Sequence, residues 1–539
     1  MDTNLLEASQ GFNHKIILYI HYYDTTESVC QYILIIFNLE VNMNKFVSIH
    51  LDRSSETPLY IQIYTGLVKL IENKDLTPGE KLPPIRRMAS FFNVNTVTVV
   101  SAYKRLEADD YVKSRVGSGT YVLYPSEKGD QEELRDSKEL IEFTEEAPEL
   151  NYTKGGNLIK FDFSGASISP KYFPVKDFRD VVNEILDRDG GYALEYQKSS
   201  GYQPLKESIK SFMKKQHHLC VPLEEIQIVS GAQQGIDILA KAFLNYQDVV
   251  YVEAPTYPGA VNAFKSRDAR IVEISMQKDG VDLEDLKQNI QKNPPKLFYS
   301  MPVFQNPTGY SYSQEKKKEL LALSKKYNFY IIEDDHISDL YYNEKPTLLK
   351  ALDNSDKVFY IKSFSKLFLP GLRMAFMWVP ERHFDKTALA KYSSDISSSG
   401  FTQRAMDLFL RKSLWSEHVN RLRKIFYEKW LKTGQSLEKY MPKSVKYCCP
   451  RGGHFFWIEL PKGLYTMNLY HEAAKNGVSI IPGDLFFMNQ RPSEGFRLSI
   501  AQIATRDIEE GIALLTESIT QLMDNPHSVF QGLGDRPLL

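Results

Sequence analysis

The chain is predicted to be an α/β protein in two parts, a small helix-turn-helix module with a β wing followed by a large domain on a mostly parallel sheet. Three observations carry that prediction. Between Pro58 and Val122, three stretches of helical periodicity precede a short alternating run with glycines at its tip. Beyond Gly155, short Val/Ile-rich runs alternate with helical patterns, the signature of a parallel sheet covered by helices. Between the two, Ser126 to Leu150 holds ten acidic residues against three basic ones, a composition that builds no core.

A length of 539 residues exceeds one ordinary core and implies two or three domains. Hydrophobic and charged residues make up 42% and 25% of the chain, usual values for a globular protein. The net charge of −2 exerts no global pull on nucleic acid, so any such contact has to come from a local patch. Four cysteines (Cys30, Cys220, Cys448, Cys449) form no C-x-x-C pair and no metal-ligand spacing, which fits a reducing, cytoplasmic setting and no metal site. The apolar runs His14–Ile20 and Val29–Phe37 both fall short of the roughly 20 residues that cross a bilayer. Neither leads into a small-residue cleavage site, so no membrane partner and no signal peptide are expected. Residues 1–42 read as an atypical extension ahead of Met43, where an ordinary protein start begins.

Residues 43–124 form the module. Its first helix, from Pro58, places Ile61, Tyr64, Leu67, Val68 and Ile71 at helical spacing. Asp75–Pro84 is a turn-rich break ending on prolines suited to a helix start. A second helix runs from Ile85 to about Phe92, and after the tight turn Asn93–Asn95 a third spans Thr96–Asp109, with Val99, Ala102, Tyr103 and Leu106 inward. Tyr111–Val122 alternates like a two-stranded wing. Such modules set the second helix of the pair in the major groove with its N-terminal residues at base edges, here Asn95, Thr96 and Thr98. Arg86, Arg87, Lys104, Arg105, Lys113 and Arg115 are available to backbone phosphates, and Gly117 and Gly119 complete the DNA-binding set at the wing. A three-helix packing module with solvated charges would show the same spacing. Beyond spacing, residues 57–123 resemble the winged helix of GntR-type transcriptional regulators. The resemblance rests on Pro58-Leu-Tyr-Ile-Gln62, Pro78-Gly-Glu-Lys-Leu-Pro83, Arg86, Thr98-Val99, Ala102-Tyr103, Leu106 and Gly117-Ser-Gly119-Thr. It implies double-stranded operator DNA as a partner. Many relatives carry arginine where Thr96 stands, so the guanine-reading contact that arginine makes is absent and the operator sequence is not predicted.

Residues 125–157 read as a solvated acidic linker, with one small apolar cluster at Leu140, Ile141 and Phe143. The large domain takes 158–524 and a tail takes 525–539. Candidate strands are Ile226–Val229, Val249–Val252, Lys296–Tyr299, Phe329–Ile332 and Val358–Ile361. Ligands of such sheets bind beyond the carboxyl ends of the strands. After the last of these runs Ser363-Phe-Ser365-Lys366, followed by Arg373: a lysine able to form a Schiff base, among donors suited to a phosphate. These suggest a pyridoxal phosphate (PLP) site.

The other strand ends carry Ser230-Gly-Ala232-Gln233, a turn opening a helix and able to cradle phosphate; Tyr257 between prolines, a face for a flat ring; Asn306 in an Asn-Pro turn; and Asp334, a carboxylate able to pair with a pyridinium nitrogen. Taken singly, each is also what an ordinary turn or cap looks like. Their order along the chain is what points to one site.

In that order and spacing, residues 160–520 resemble fold-type I aminotransferases, and the whole chain resembles the MocR subfamily of GntR regulators. The resemblance implies Lys366 as the lysine bonded to the cofactor aldehyde, with Asp334 at the pyridine nitrogen, Asn306 at the phenolic oxygen and Tyr257 stacked on the ring. It assigns the phosphate to the backbone of Ala232 and Gln233 with Ser363, Ser365 and Arg373. Arg497 matches the arginine that grips a substrate carboxylate, and Tyr196 the tyrosine that reaches a neighbouring subunit's phosphate, which implies a homodimer. At 336 the family usually has tyrosine; here it is His336, whose charge varies near neutral pH, so the rate of any transamination is not predicted. The resulting expectation is a PLP-dependent regulator sensing PLP or an amino compound. The alternative is a PLP-dependent aminotransferase with a vestigial DNA-binding module, since lysine, aspartate and arginine suffice for that chemistry. An inert dimerisation domain would have no use for Lys366 and Asp334.

Overall fold

The computed structural model describes residues 43–49, 51–53, 57–73, 75–77, 79–109, 111–115, 119–123 and 159–525. The expected extension 1–42, the linker 125–157, Gly117 and the side chain of Arg115 lie outside the described residues. The chain divides into two compact units between Glu139 and Leu140.

In the first unit, α1 (Leu59–Glu72), α2 (Ile85–Phe92) and α3 (Thr96–Ala108) precede the hairpin β1 (Val112–Arg115) and β2 (Gly119–Val122). Pro58 and Pro84 stand at the N-caps of α1 and α2, one residue ahead of the first helical turn. Helix α2 stops where Asn93 turns left-handed at φ 51°, a conformation asparagine tolerates better than most residues. Asn95 then opens α3, its Oδ1 accepting from the Val97 amide at 2.9 Å. Val99, Ala102, Tyr103 and Leu106 are buried as expected. On α1 the buried seam is Ile63, Leu67 and Leu70, whereas Ile61, Tyr64, Val68 and Ile71 are only half-buried. Tyr60, Ile61 and Ile63 offer apolar groups on more than one side of the helix, so periodicity alone did not choose the seam.

Two motif residues turn out to be internal struts. The Tyr103 hydroxyl donates to the Pro83 carbonyl at 2.8 Å, and the Gln62 amide spans the Asp52 backbone and the Thr57 carbonyl. The wing also gains a third edge, because Gly79 and Leu82 amides donate to the Val122 and Thr120 carbonyls.

The second unit is built on an eight-stranded sheet. Its strands are β3 (Ile226–Val229), β4 (Val249–Ala254), β5 (Arg270–Gln277), β6 (Gly280–Val281), β7 (Leu297–Ser300), β8 (Tyr330–Asp335), β9 (Val358–Ser363) and β10 (Ala375–Trp378). Their spatial order is β3-β10-β9-β8-β7-β4-β5-β6. The run β9-β8-β7-β4-β5 is parallel throughout; β10 lies antiparallel between β9 and β3. Alternation sorts the apolar side chains. Val250, Val252, Tyr299, Ile332 and Phe359 join one core with Ile236 and Leu239 of α4 (Ala232–Phe243), and Tyr251, Phe298, Ile331 and Val358 join the opposite one. The five expected strands are present, four of them extended at the carboxyl end: β4 to Ala254, β7 to Ser300, β8 to Asp335 and β9 to Ser363. Strands β5 and β10 were not among them; β10 is four residues long and reversed, so neither length nor βα alternation marks it.

A smaller four-stranded sheet follows, of β11 (Lys446–Cys448), β12 (Phe455–Glu459), β13 (Ile481–Pro482) and β14 (Gly495–Ser499) in the order β11-β12-β14-β13. Its Phe456 and Leu498 share one core with Phe426 and Leu437 of a 27-residue helix, α5 (Leu414–Tyr440).

Candidate functional site

Because β3 is parallel to the central strands, the five segments singled out from sequence all leave the same edge of one sheet. At the end of β3, Gly231 adopts φ 91°, and a Cβ built there would lie 2.6 Å from Nη2 of Arg373. Only glycine lets the guanidinium come this close to the first turn of α4. Arg373 is itself left-handed, at φ 50°. The first amides of α4, at Ala232 and Gln233, have no intrahelical acceptors and face the positive end of the helix dipole. Gln233 also fixes the ring of Tyr257: its Nε2 donates to the Gly259 carbonyl, and its Oε1 accepts from the Tyr257 hydroxyl at 3.0 Å. At the end of β9, Ser363 Oγ accepts from the Ser365 amide, while the buried Ser365 hydroxyl has no partner among the described residues.

Asp334, at the end of β8, is buried and accepts from the Tyr299 hydroxyl at 2.7 Å. Strand alternation sends the next residue to the other face. There Asp335 meets the Lys362 ammonium at 3.1 Å and the hydroxyls of Tyr360 and Ser338 at 2.6 Å, and Asp339 is 2.9 Å from the same ammonium. Burial alone would raise the Asp335 carboxyl, but Lys362 and these hydroxyls outweigh it and hold it at about 2.

Asn306 accepts through Oδ1 from Nη1 of Arg497 at 2.8 Å, and Nη2 of Arg497 donates to the Ser164 carbonyl. The guanidinium lies 4.4 Å from the ring of Phe455 and 5.1 Å from that of Phe486, and the His336 ring is stacked with the same Phe455 at 6.3 Å between centroids. His454 is fully buried beside them. Desolvation first, then the nearby His336, Lys366 and Arg497, keep its imidazole neutral far below the usual range. Those three groups therefore share one neighbourhood, although 30 to 161 positions separate them in the chain. Tyr196 is the exception: it is 87% exposed.

Sequence reading missed the framework beneath these loops. Glu253, fully buried at the end of β4, accepts from Ser300 Oγ, the Met301 amide, Gln305 Nε2 and the Tyr312 hydroxyl. Gln305 also donates to the Pro255 carbonyl and accepts from Thr308, so one carboxylate ties the Tyr257 loop to the Asn306 loop. A charge ending the apolar run Val249–Val252 was the available signal.

In the first unit, Arg86, Thr96 and Lys104 are exposed, and Thr98 is half-buried. Asn95 is only partly available to a base, since its Oδ1 is engaged in capping α3. Arg105 is also engaged, 5.0 Å over the Tyr64 ring and 3.9 Å from Asp109. Val97, not singled out from sequence, stands 66% exposed in the first turn of α3, an apolar group suited to a thymine methyl.

Residues 169–515 match the aminotransferase class I and II family, and residues 59–122 match the gntR family of bacterial regulatory proteins. The chain belongs to the aminotransferase class I and II family, with a gntR-family module at its head. This is the MocR-type architecture. A 2-aminoadipate transaminase of Thermus thermophilus is 32% identical over 67% of this chain and 90% of its own length. YisV, an HTH-type transcriptional regulator of Bacillus subtilis, is 29% identical over 88% of this chain and 98% of its own, and so spans both parts. The crystal structure of a Pyrococcus horikoshii kynurenine aminotransferase, in complex with PMP, superposes with a TM-score of 0.65 at 32% identity, over 67% of this chain and 91% of that one.

The cofactor of this fold is PLP. The residues present fit it: a glycine cradle under Arg373, a buried Ser365 hydroxyl with no partner among the described residues, and the buried Asp334 carboxylate on β8, the strand next to β9. Among the described residues, no helix is long and apolar enough to cross a membrane, and no cluster of His, Cys, Asp or Glu could hold a metal ion.

Two stability predictions follow from the buried carboxylates. Glu253→Ala orphans four buried donors and should cost about 3 kcal/mol or more, read as a lowered denaturation midpoint of the large unit. Asp335 has its folded pKa depressed to about 2, so its contribution is present above the unfolded value of about 4 and is lost as pH falls towards 2. Acid titration of the native chain should show stability falling across that window, and Lys362→Met should abolish that component of the fall while lowering stability at pH 7.

Proposed function

We propose that the chain is a PLP-dependent, DNA-binding transcriptional regulator whose aminotransferase-type domain senses PLP or an amino compound. The observation that carries this reading is the presence, in one chain, of a complete set of cofactor loops and of a winged helix with an exposed first turn on α3. When bound, the cofactor supplies a pyridinium ring that draws electrons from an attached amino compound. Lys366 holds it covalently, and Asp334 faces its ring nitrogen. Asn306 and His336 serve its phenolic oxygen, and Tyr257 covers its face. The α4 amides at Ala232 and Gln233, with Ser363, Ser365 and Arg373, hold its phosphate. Arg497 receives a carboxylate of the amino compound, a task suited to a planar guanidinium.

Tyr196 belongs, in this reading, to the site of a second copy in a homodimer. Its exposure supports that assignment, since a tyrosine 87% exposed is available to reach outward. On DNA, Arg86 and Lys104 meet phosphates, while Thr96, Val97 and Thr98 face base edges. YisV, which spans both parts, is a transcriptional regulator by name, and this supports regulation as the primary role.

The second reading, an aminotransferase with a vestigial DNA module, is favoured by the intact pairing of Arg497 with Asn306 and by relatives named as transaminases. Sensing and turnover use the same residues up to ligand capture, so DNA binding separates the two.

Purified chain should show the visible absorbance of lysine-bound PLP, and Lys366→Ala should abolish it; unchanged absorbance refutes the site. The chain should also bind DNA near its own promoter, and Lys104→Ala should weaken binding evenly across sequences and reduce the salt slope by about one. Absence of footprints there and at neighbouring genes would leave the aminotransferase reading in its place.

A further inference from the structure

The chain from Phe163 to Ser167 belongs to no helix or strand, yet each of its five carbonyls meets a donor from β14, from the turn after it, or from His454 ahead of β12. The Ser499 amide donates to Phe163 at 2.8 Å and Nη2 of Arg497 to Ser164 at 3.0 Å. The Ser499 hydroxyl donates to Gly165, Nε2 of His454 to Ala166 at 3.1 Å, and Nε2 of Gln502 to Ser167 at 2.7 Å. A carbonyl shut away from water has to find a donor, and here side chains stand in for the ladder of a sheet. The approach is close: a Cβ on Gly165 would lie 2.3 Å from Cγ of Gln502. Among these donors His454 is fully buried and spans both sides of the arrangement. Its own carbonyl accepts from the Ile500 amide at 2.9 Å, just past β14, while its ring reaches Ala166. A carbonyl only accepts, so Nε2 carries the proton. Desolvation, with His336, Lys366 and Arg497 nearby, keeps the ring neutral, so Nδ1 carries none. The imidazole is thus a fixed donor and not a cation that would repel the guanidinium. Next along the chain, Phe455 is the ring 4.4 Å from the Arg497 guanidinium, and it pairs with Ser499 of β14.

We propose that His454 is a positioning residue for Arg497: by holding the Ala166 carbonyl it fixes the segment whose Ser164 carbonyl orients the guanidinium for an incoming carboxylate. This rests on the reading of Arg497 as the carboxylate receiver given above. Ser164 is two residues from Ala166, so slack at Ala166 becomes slack in a hydrogen bond of Arg497. A bidentate pair tolerates little misplacement, because two N–H groups have to meet two oxygens at once. Ser363, Ser365 and Arg373 belong to the end of β9 and the turn beyond it, so cofactor retention and carboxylate capture are separable.

The test uses the full chain reconstituted with PLP and titrated with the common L-amino acids and with the primary amines that lack their carboxylates. The change in visible absorbance gives each dissociation constant. His454→Leu should keep the visible band and bind amino acids about tenfold more weakly, the size of one buried hydrogen bond, while the matching amines change about twofold or less. His454→Gln returns an N–H to the place of Nε2 and should recover most of the lost affinity. A merely structural role would weaken amino acid and amine alike. Equal losses for both, no loss for either, or a His454→Gln chain as weak as His454→Leu overturns the proposal. Should His454→Leu fail to fold, Gln502→Met removes the neighbouring donor to Ser167, and there a loss confined to amino acids supports the proposal and an equal loss overturns it. An unmodified chain that takes up PLP but responds to no amino acid removes Arg497 as carboxylate receiver, and this proposal with it. One that takes up no PLP fails the PLP reading itself.

Discussion

The arrangement depends on one buried anion. Glu253 ends a strand whose other residues are apolar, and removing a carboxylate from water is costly unless its lone pairs are met. Here four donors meet them, from Ser300, Met301, Gln305 and Tyr312. Burial still drives its carboxyl above the ordinary range, which marks how much solvation has been lost. The consequence is geometric. The loop carrying Tyr257 and the loop carrying Asn306 cannot move independently, because both hang on Glu253 and on Gln305 beside it. Strand β7 is drawn into the same network through Ser300, and with it Tyr299 and Asp334.

A similar division of labour runs through the sheet edge. Consecutive strand residues face opposite sides, so Asp334 and Asp335 have different fates despite being adjacent. Asp335 is neutralised by Lys362 and held by two hydroxyls, which makes it part of the scaffold. Asp334, on the other face, accepts from the Tyr299 hydroxyl.

In the first unit, motif residues separate into struts and readers. Gln62, Pro83 and Tyr103 are recognisable in sequence, yet they act on the chain itself: they close the N-terminal segment on α1 and seat α3 against the turn before α2. Val97 has no place in the motif, yet it is the most exposed apolar group at the start of α3. Motif membership marks what the fold needs as readily as what DNA needs.

Sequence alone determined the order of the two parts, the helix-turn-helix with its wing, the mostly parallel sheet, and the chain order of Ala232, Tyr257, Asn306, Asp334 and Lys366 along its strand ends. These are local properties: hydrophobic period, turn residues and the spacing of motifs are written in consecutive positions. Tertiary structure decided the rest. It gave Asp334 and Asp335 different partners, revealed Glu253 and Tyr299 beneath the loops, brought Arg497 to Asn306 from 191 positions away, and left Tyr196 facing outward. Such facts depend on which strand lies beside which and on which side each residue faces, and neither is settled until β10 inserts between β3 and β9 and the register of every pair is set.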